Sequence, residues 1–238
     1  MSYKLTEPSA RLESLVAFYE RLDMLRQKGL ALQRLGDGSR ITRWPERGVY
    51  FFMEPGQARS DSGLGLRVVR VGTHALREGS QSSLKGRLYQ HRGNATGQGG
   101  NHRGSIFRLL IGLGLTSVQP ALSCPSWGTG NTASGDIRAA ERSLEEAVSR
   151  RIAEMPVLFL PILDEPGPAS LRGYIERNAI ALLSNYARPE IDPPSADWLG
   201  RSCQRDRVLR SGLWNNNHVD EVCDPDFLNV FSKLLEAA

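Results

Sequence analysis

The segment from Ser83 to Gly93, SLKGRLYQHRG, brings together side chains that could act on a phosphate. Arg87 and His91 are four residues apart, so a helix would place them on one face. The segment contains no carboxylate to neutralise them. A guanidinium stays charged and matches phosphate geometry, whereas an imidazole can donate or accept a proton near neutral pH. Such a pair is typical either of a solvated helix surface or of a phosphate-binding site.

Basic residues are concentrated in one part of the chain, which has a net charge of +4. The stretch between Glu78 and Asp136 contains no acidic residue but five basic ones, so it carries the whole net positive charge. A local positive field favours binding to a polyanion such as DNA. The side chains of this stretch expected to contact DNA, besides Arg87, are Lys85, Arg92, His102, Arg103 and Arg108. A mobile surface loop is an equally acceptable interpretation of the glycine-rich residues 93–104.

Length and composition fit one globular domain with extensions, since 238 residues can bury a substantial core. No apolar run is long enough to cross a bilayer, and the N-terminus lacks the apolar core of a secretory signal. We therefore expect a cytoplasmic protein with no membrane partner. Cys124, Cys203 and Cys223 are widely spaced and outside any CxxC pattern, which argues against a disulfide framework or a structural zinc site.

Hydrophobic periodicity and turn residues predict the order of elements. The predicted strands cover residues 48–54, 66–72 and 156–163. The predicted helices cover residues 9 to about 34 (one helix or a broken pair), 83–92, 136–155, 170–186 and 226–237. Residues 104–115 fit a strand or a helix equally well. The predicted fold class is α+β, with a small central mixed or antiparallel three-stranded sheet flanked by helices and with helical N- and C-terminal extensions.

Four short motifs fall on these elements in a defined order. They are Gly48-Val49-Tyr50 on the first strand, Arg70-Val71-Gly72 ending the second, Arg87 on the next helix and Glu176 on the helix after the third strand. This order resembles the GIY-YIG nuclease superfamily, and the spacing of Arg87 and His91 resembles its restriction-endonuclease-like branch. The resemblance covers roughly residues 46–190. It implies an N-terminal helical arm over 1–45, a nuclease domain over 46–190 with a glycine-rich insertion near 93–135, and a C-terminal extension over 191–238.

The resemblance implies a metal-dependent DNA endonuclease, and each residue type suits the role implied for it. Glu176 would bind one Mg²⁺ or Mn²⁺, because magnesium needs few protein ligands. Arg87 would bind the phosphate, and Tyr50 would act as the general base. His91 would bond the phosphate or move a proton. These roles require the four side chains to converge, with Glu176 and Arg87 on the same side of the sheet.

Two positions depart from the pattern of the family that the chain resembles. Arg70 stands where a tyrosine is expected, and we assign it to DNA contact. His74 lies close by, and by position alone we expect it to supply the polar or proton-accepting function of that tyrosine. An asparagine usually follows the glutamate, but Arg188 occupies that position here. Asn185, a near neighbour, is the residue we assign to DNA contact instead.

Several alternatives stay open at this level. The resemblance favours a restriction or defence nuclease acting on double-stranded DNA, as a homodimer or by sequential nicking. A DNA-repair or structure-specific nuclease, an RNA-directed nuclease, and a non-catalytic nucleic-acid-binding protein with a degenerate fold are the other candidates. A group of C-terminal residues is better explained by helix capping and surface charge than by a second metal site; it consists of His218, Asp220, Glu221 and Asp224.

Overall fold

The computed structural model describes residues 9–28, 32–37, 44–94 and 99–237. The strands are β1 (Gln33–Arg34), β2 (Gly48–Ala58), β3 (Leu66–Gly72) and β4 (Pro156–Pro161). The α-helices are α1 (Ala10–Gln27), α2 (Leu84–Arg92), α3 (Ile106–Val118), α4 (Gly135–Glu154), α5 (Leu171–Leu183), α6 (Asp206–Ser211) and α7 (Phe227–Ala237). In the described part of the chain, no helix is both long and apolar enough to span a bilayer.

The strands form one antiparallel sheet in the order β1-β4-β2-β3. The predicted α+β class is confirmed. The sheet has four strands instead of the predicted three, because the two-residue β1 pairs with β4. Two residues carry too little periodicity to be recognised in a sequence. The strand β2 is central and buried along most of its length, which places its motif in the middle of the molecule.

Alternate residues of β2 point to two separate hydrophobic cores, as the geometry of a strand requires. Val49 and Phe51 pack with α1, α5 and α7 on one face of the sheet. Tyr50 and Phe52 pack with α2, α3 and α4 on the other face. The helices that carry Arg87 and Glu176 therefore lie on opposite faces, and their side chains can meet only around an edge or an end of the sheet.

Two helix predictions differ from the structure in detail. The N-terminal helix ends at Gln27, well before the predicted end near residue 34, and residues 33–34 form a strand instead. Residues 29–31 lie outside the described residues. The ambiguous run of residues 104–115 lies in helix α3, which Ser105 caps by accepting the backbone N–H of Arg108. Ser134 caps α4 in the same way, by accepting the backbone N–H of Ile137.

The C-terminal part of the chain covers the free edge of β3. The backbone N–H of Trp214 donates to the Val69 carbonyl oxygen at 2.7 Å. The side-chain amide of Asn215 bonds both the N–H and the carbonyl oxygen of Val71, at 3.2 and 2.9 Å. This pairing satisfies backbone groups that an edge strand would otherwise leave open. It also brings C-terminal residues close to the end of β3, where the motif residues lie.

Candidate active site

Tyr50 is held in place by a glycine on the neighbouring strand. It lies on β2 opposite Gly72 of β3. A Cβ atom on Gly72 would lie 2.1 Å from Tyr50 Oη and 2.3 Å from its Cζ, far inside van der Waals contact. Gly48 has a similar role, because its Cβ would lie 2.4 Å from the carbonyl oxygen of Leu160 on β4. Both motif glycines therefore have a steric explanation.

We expect Gly72→Ala to lower the free energy of unfolding by about 1–3 kcal/mol, the usual cost of overpacking a buried site. The loss should shrink by about 1 kcal/mol in a Tyr50→Leu background, because the ring that the methyl group meets is gone. Urea denaturation of the single and double variants measures both effects. Gly135→Ala is the matched control, since nothing lies within 4 Å of its Cβ position. Equal stability of the two alanine variants would contradict the steric explanation.

Tyr50, His91 and Ser105 form a buried hydrogen-bonded chain. Tyr50 Oη lies 2.7 Å from His91 Nε2, and His91 Nδ1 lies 2.7 Å from Ser105 Oγ. In the sequence, the four-residue spacing pairs His91 with Arg87, and Ser105 does not stand out. The only signal for Ser105 is a serine before an apolar run, which marks a helix cap and says nothing about the histidine.

His91 is not available for direct contact with a phosphate. It has no exposed surface, and both of its ring nitrogens are occupied. Burial lowers the pKa of His91 well below its ordinary value of 6.5, and the charges of Arg87, Arg70 and Arg108 lower it further. The imidazole is therefore neutral at pH 7 and carries one ring proton. The expectation that His91 bonds the phosphate does not fit this burial.

Arg87 faces a large polar cavity. The cavity has a volume of about 690 Å³, and it lies between α2 and the residues that connect β3 to α2. Its lining includes Thr73, His74, Arg77 and Ser82, and none of the described residues that line it carries a carboxylate. Arg87 Nη1 donates to the Gln90 side-chain oxygen and to the Gly104 carbonyl oxygen, each at 3.1 Å. These two bonds orient the guanidinium, and neither of the two partners is an acid.

Glu176 reaches the same region from the opposite face of the sheet. The backbone N–H of Thr73, just beyond the end of β3, lies close enough to lower the pKa of the Glu176 carboxyl. Arg172, one turn earlier on α5, donates to the carbonyl oxygen of His74 at 2.6 Å. Helix α5 is thus tied to the connection after β3 by Arg172, and Glu176 lies beside it. The expectation that Glu176 and Arg87 lie on the same side of the sheet is wrong, because α5 and α2 pack on opposite faces.

The charges around Glu176 identify its neighbours. Burial raises the pKa of Glu176 above its ordinary value, and the nearby positive groups Arg70, His218 and Arg87 oppose this rise, as does the Thr73 N–H. Arg87 also acts on His74 and His91, lowering the pKa of each. The charge of Arg87 therefore acts on three of the sequence-predicted catalytic residues, Glu176, His74 and His91.

Arg70, which stands in place of the expected tyrosine, is buried and has only 5% of its surface exposed. Its Nη1 donates to the carbonyl oxygen of Trp214, and its guanidinium lies 5.1 Å from the ring centroid of Phe107. This burial does not fit a direct contact with DNA. The charge of Arg70 acts inward instead, on Glu176 and His91.

His74 lines the cavity with one ring nitrogen unpaired. Its Nδ1 donates to the Ser82 carbonyl oxygen at 3.0 Å, so Nε2 carries the lone pair in the neutral ring. This Nε2 is buried and has no hydrogen-bond partner among the described residues. Burial lowers the pKa of His74 to about 4, and Arg172, Arg47 and Arg87 contribute, although the bond to Ser82 opposes the shift. At neutral pH the His74 ring is therefore neutral, with a buried Nε2 lone pair that no described residue bonds.

The basic stretch is neutralised to a greater extent than its sequence indicates. Arg108 is fully buried and pairs with Glu145 of α4. His102 is 3% exposed and bonds Glu145 through Nδ1 at 3.0 Å, and Arg103 pairs with Glu141 at 2.6 Å. The predictions that these three side chains contact DNA do not fit the structure. Their carboxylate partners lie on α4, beyond the stretch in which charges were counted.

Lys85 and Arg92 lie at the surface, whereas Asn185, which the sequence also assigned to DNA contact, is buried. Lys85 is exposed and Arg92 is half-buried; they flank the ring of Tyr89 at 5.7 and 4.5 Å. Their contact with DNA stays a prediction. Asn185 is 5% exposed, and its amide bonds the backbone of Ile191 at 3.1 and 3.2 Å. It holds a loop of the C-terminal part, which does not fit a contact with DNA.

His218 is a neighbour of Glu176 that the sequence analysis did not assign to the site. Its Nδ1 lies 2.7 Å from Glu221 Oε1, and Glu221 also pairs with Arg177, next to Glu176 on α5. Asp220 pairs with Arg207 at 2.6 Å. These pairs fit the surface-charge interpretation of this group. Across the described ranges no cluster of three or more histidine, cysteine or acidic side chains could hold a metal ion.

A carboxylate, an unneutralised arginine and a buried phenol at one end of a small sheet are groups that phosphodiester cleavage uses. A sequence model of the GIY-YIG domain matches residues 9–238. The chain therefore belongs to the GIY-YIG domain family, whose members are endonucleases, typically dependent on a divalent metal. This membership supports a nuclease-type function, for which DNA is the implied substrate. Searches of curated proteins and of solved structures found no match.

The family match is wider than the resemblance seen in the sequence. It includes α1 and α7, which belong to the predicted N-terminal arm and C-terminal extension. Both helices contribute to the same core as α5, through Phe18 of α1 and Phe231 of α7. The division of the chain at residues 45 and 190 stays a prediction.

Proposed function

We propose that this protein is a metal-dependent endonuclease that hydrolyses phosphodiester bonds of double-stranded DNA. The observation that supports the proposal is that Arg87 acts electrostatically on both Glu176 and His91, and that His91 is hydrogen-bonded to Tyr50. Arg87 is assigned to the scissile phosphate, because its guanidinium faces a cavity without carboxylates. Lys85 and Arg92, on the same helix, are assigned to the DNA backbone.

Tyr50 is the proposed general base, and His91 is its hydrogen-bond partner. The phenol has no exposed surface, as is also true of His91, so Tyr50 can take a proton from water only when a local movement uncovers its oxygen. His74 is assigned to holding a water molecule through its unpaired Nε2, which supports the role first inferred from its position. A water held there would lie in the same cavity as Arg87.

Glu176 is the proposed ligand of Mg²⁺ or Mn²⁺. The Thr73 N–H lies close to its carboxylate, and in the described ranges no side chain forms a salt bridge with it. A single carboxylate suits Mg²⁺, which keeps several waters, better than Zn²⁺, which takes several protein ligands. The bound ion would supply charge neutralisation and a more acidic water.

A non-catalytic nucleic-acid-binding protein is the second candidate, and Arg70 is the observation that favours it. Its buried guanidinium replaces the expected tyrosine and places a positive charge near Glu176, where a metal ion would also lie. Like charges this close oppose each other, so Arg70 would weaken metal binding. Four further features stay predictions: a restriction or defence role, a repair role, cleavage as a homodimer and a cytoplasmic location.

Plasmid cleavage in Mg²⁺ or Mn²⁺, with EDTA and Glu176→Gln as controls, separates the two candidates. A nuclease converts supercoiled plasmid in the presence of metal, and chelation or Glu176→Gln stops the conversion without abolishing binding. Binding by both proteins with cleavage by neither would support the non-catalytic candidate. Binding should weaken steeply with salt in either case, because phosphate contacts release counterions. The same assay with His74→Ala tests the water-holding role, which unchanged cleavage would remove.

A further inference from the structure

Three buried polar groups share two hydrogen bonds at the centre of the site. The exposed fractions of Tyr50, His91 and Ser105 are 0%, 0% and 1%. The phenol, the neutral imidazole and the hydroxyl group each carry one hydrogen, which makes three donors for the two bonds. One hydrogen therefore has no acceptor within the chain of three groups. Which group holds it decides what His91 can do for Tyr50.

The bonds of Ser105 limit the choice. Ser105 Oγ accepts the backbone N–H of Arg108 at 3.3 Å, where it caps α3. Among the described residues, His91 Nδ1 is the one acceptor within hydrogen-bonding distance of this hydroxyl. If Nδ1 carried the ring proton, Oγ would accept twice and its own hydrogen would stay unbonded in the interior. Leaving a buried donor unbonded is unfavourable.

We propose that Ser105 is a positioning residue that donates to His91 Nδ1 and thereby holds the ring proton on Nε2. His91 then donates to Tyr50 Oη instead of accepting from it. The hydrogen without an acceptor then lies on Tyr50, which is as buried as Ser105 but ionises more readily, so it is the one hydrogen of the three whose loss leaves every remaining donor bonded. Once Tyr50 is a phenolate, two hydrogens remain. Ser105 donates one to His91 Nδ1, and His91 Nε2 donates the other to Tyr50 Oη, so every group in the chain is hydrogen-bonded.

This arrangement fixes the role of each group in the proposed cleavage step. The Tyr50 phenolate takes a proton from the attacking water while the water oxygen bonds to phosphorus and the bond from phosphorus to the sugar oxygen breaks. The sugar oxygen leaves with the electron pair of that bond and takes a proton from a second, solvent water. His91 Nε2–H stabilises the phenolate before the transfer and remains a donor afterwards. The catalytic consequence rests on the proposed function, whereas the position of the ring proton is a property of the fold.

The charged groups around His91 keep it neutral, which the proposal requires. Arg87 on its own helix, Arg70 on β3 and Arg108 on α3 all disfavour a second ring proton, and burial disfavours it most. Glu145 compensates Arg108 from the far side through its salt bridge. Glu176 interacts electrostatically with Arg70 and opposes part of the effect of its positive charge. A single ring proton is therefore retained across the neutral pH range.

The first test reads the ring proton directly and needs no activity. Protein labelled with ¹⁵N-histidine has four imidazoles to distinguish, and a His91→Gln sample identifies the signals of His91. We expect a protonated Nε2 and an unprotonated Nδ1 for His91 in the wild-type spectrum. A protonated Nδ1 would overturn the proposal. If the expected tautomer is present but plasmid is never cleaved, the proposed function fails and the tautomer assignment stands.

The second test uses Ser105→Ala, with Ser134→Ala as the control for losing a helix-capping hydroxyl. Ser105→Ala is expected to lower kcat by about 10- to 100-fold, the usual effect of removing a group that orients a functional histidine, with KM little changed. The acid limb of the pH–rate profile should move to higher pH, because the phenolate loses its oriented donor. Ser134→Ala should leave both unchanged. If the two variants have identical kinetics, Ser105 acts only as the N-cap of α3 and the proposed positioning role is wrong.

Discussion

Glu176→Gln is expected to cleave DNA about 10³-fold more slowly than the wild type and yet to be more stable. Glutamine keeps the shape of the side chain but cannot offer a negative charge to a divalent cation. A loss of roughly 4 kcal/mol of transition-state stabilisation corresponds to this factor. Initial rates of plasmid cleavage at saturating Mg²⁺ measure the first effect, and urea denaturation measures the second.

The gain in stability follows from the raised pKa of Glu176. Burial is the largest cause and outweighs the opposing charges of Arg70, His218 and Arg87. The folded protein therefore holds the proton more tightly than the unfolded chain, whose pKa is near the ordinary 4.5. The contribution of Glu176 to stability is lost as the pH rises from that value through the folded pKa. Above this window the ionised side chain destabilises the fold, and glutamine removes that effect.

Glu54→Gln is the matched control, because Glu54 is a buried carboxylate with a structural role. It accepts the indole N–H groups of Trp198 and Trp214 at 2.9 and 3.1 Å and pairs with Arg151 at 2.6 Å. Its replacement should cost about 1–3 kcal/mol of stability and leave the folded protein active. If Glu176→Gln loses stability like Glu54→Gln and still cleaves at the wild-type rate, Glu176 is not a metal ligand.

The contrast between these two glutamates shows what a sequence can and cannot predict. Glu176 was found because it follows the third strand at the place that a family motif requires. Glu54 has no such signal, since both tryptophans that bind it are more than a hundred residues away. The short apolar runs of β2 and β3 and the helical periodicity of the other segments were enough to predict the α+β fold, because these are local patterns.

Charge was the weakest guide to the site. Counting along the chain made Arg103 and Arg108 candidates for DNA contact, whereas folding brings Glu141 and Glu145 of α4 against them. A helix that begins at Gly135 lies just outside the counted stretch. The partners of a charge depend on tertiary packing, which composition does not encode.

The sheet geometry explains the other unexpected features. Tyr50 and the Arg87 helix lie on one face and α5 on the other, so the site forms around the end of β3. Thr73 links these parts of the site. Its N–H lies close to Glu176, and its hydroxyl donates to the Gly48 carbonyl oxygen at 2.8 Å. The first two motifs and the glutamate helix are thus tied together through one residue. A linear motif search has no means of detecting this link.

Tyr50→Phe is expected to reduce the cleavage rate by about 10²- to 10⁴-fold, the range attributed to a positioned general base. Phenylalanine keeps the ring that packs on Phe52 and His91, so the core remains filled. The variant loses the oxygen that takes the proton from water, and His91 Nε2 loses its partner. Stability should fall by about 1 kcal/mol for the lost hydrogen bond. Single-turnover cleavage and urea denaturation measure the two effects.

Tyr19→Phe provides the control that separates a catalytic phenol from a structural one. Tyr19 is 4% exposed, and its hydroxyl accepts the backbone N–H of Val68 at 3.1 Å in the core on the opposite face of the sheet. Its replacement should cost a similar amount of stability and leave cleavage unchanged, because the oxygen lies away from the site. If both variants cleave at the wild-type rate, Tyr50 is an ordinary core aromatic residue. A different group must then activate the water, and His74 is the remaining candidate with a free lone pair.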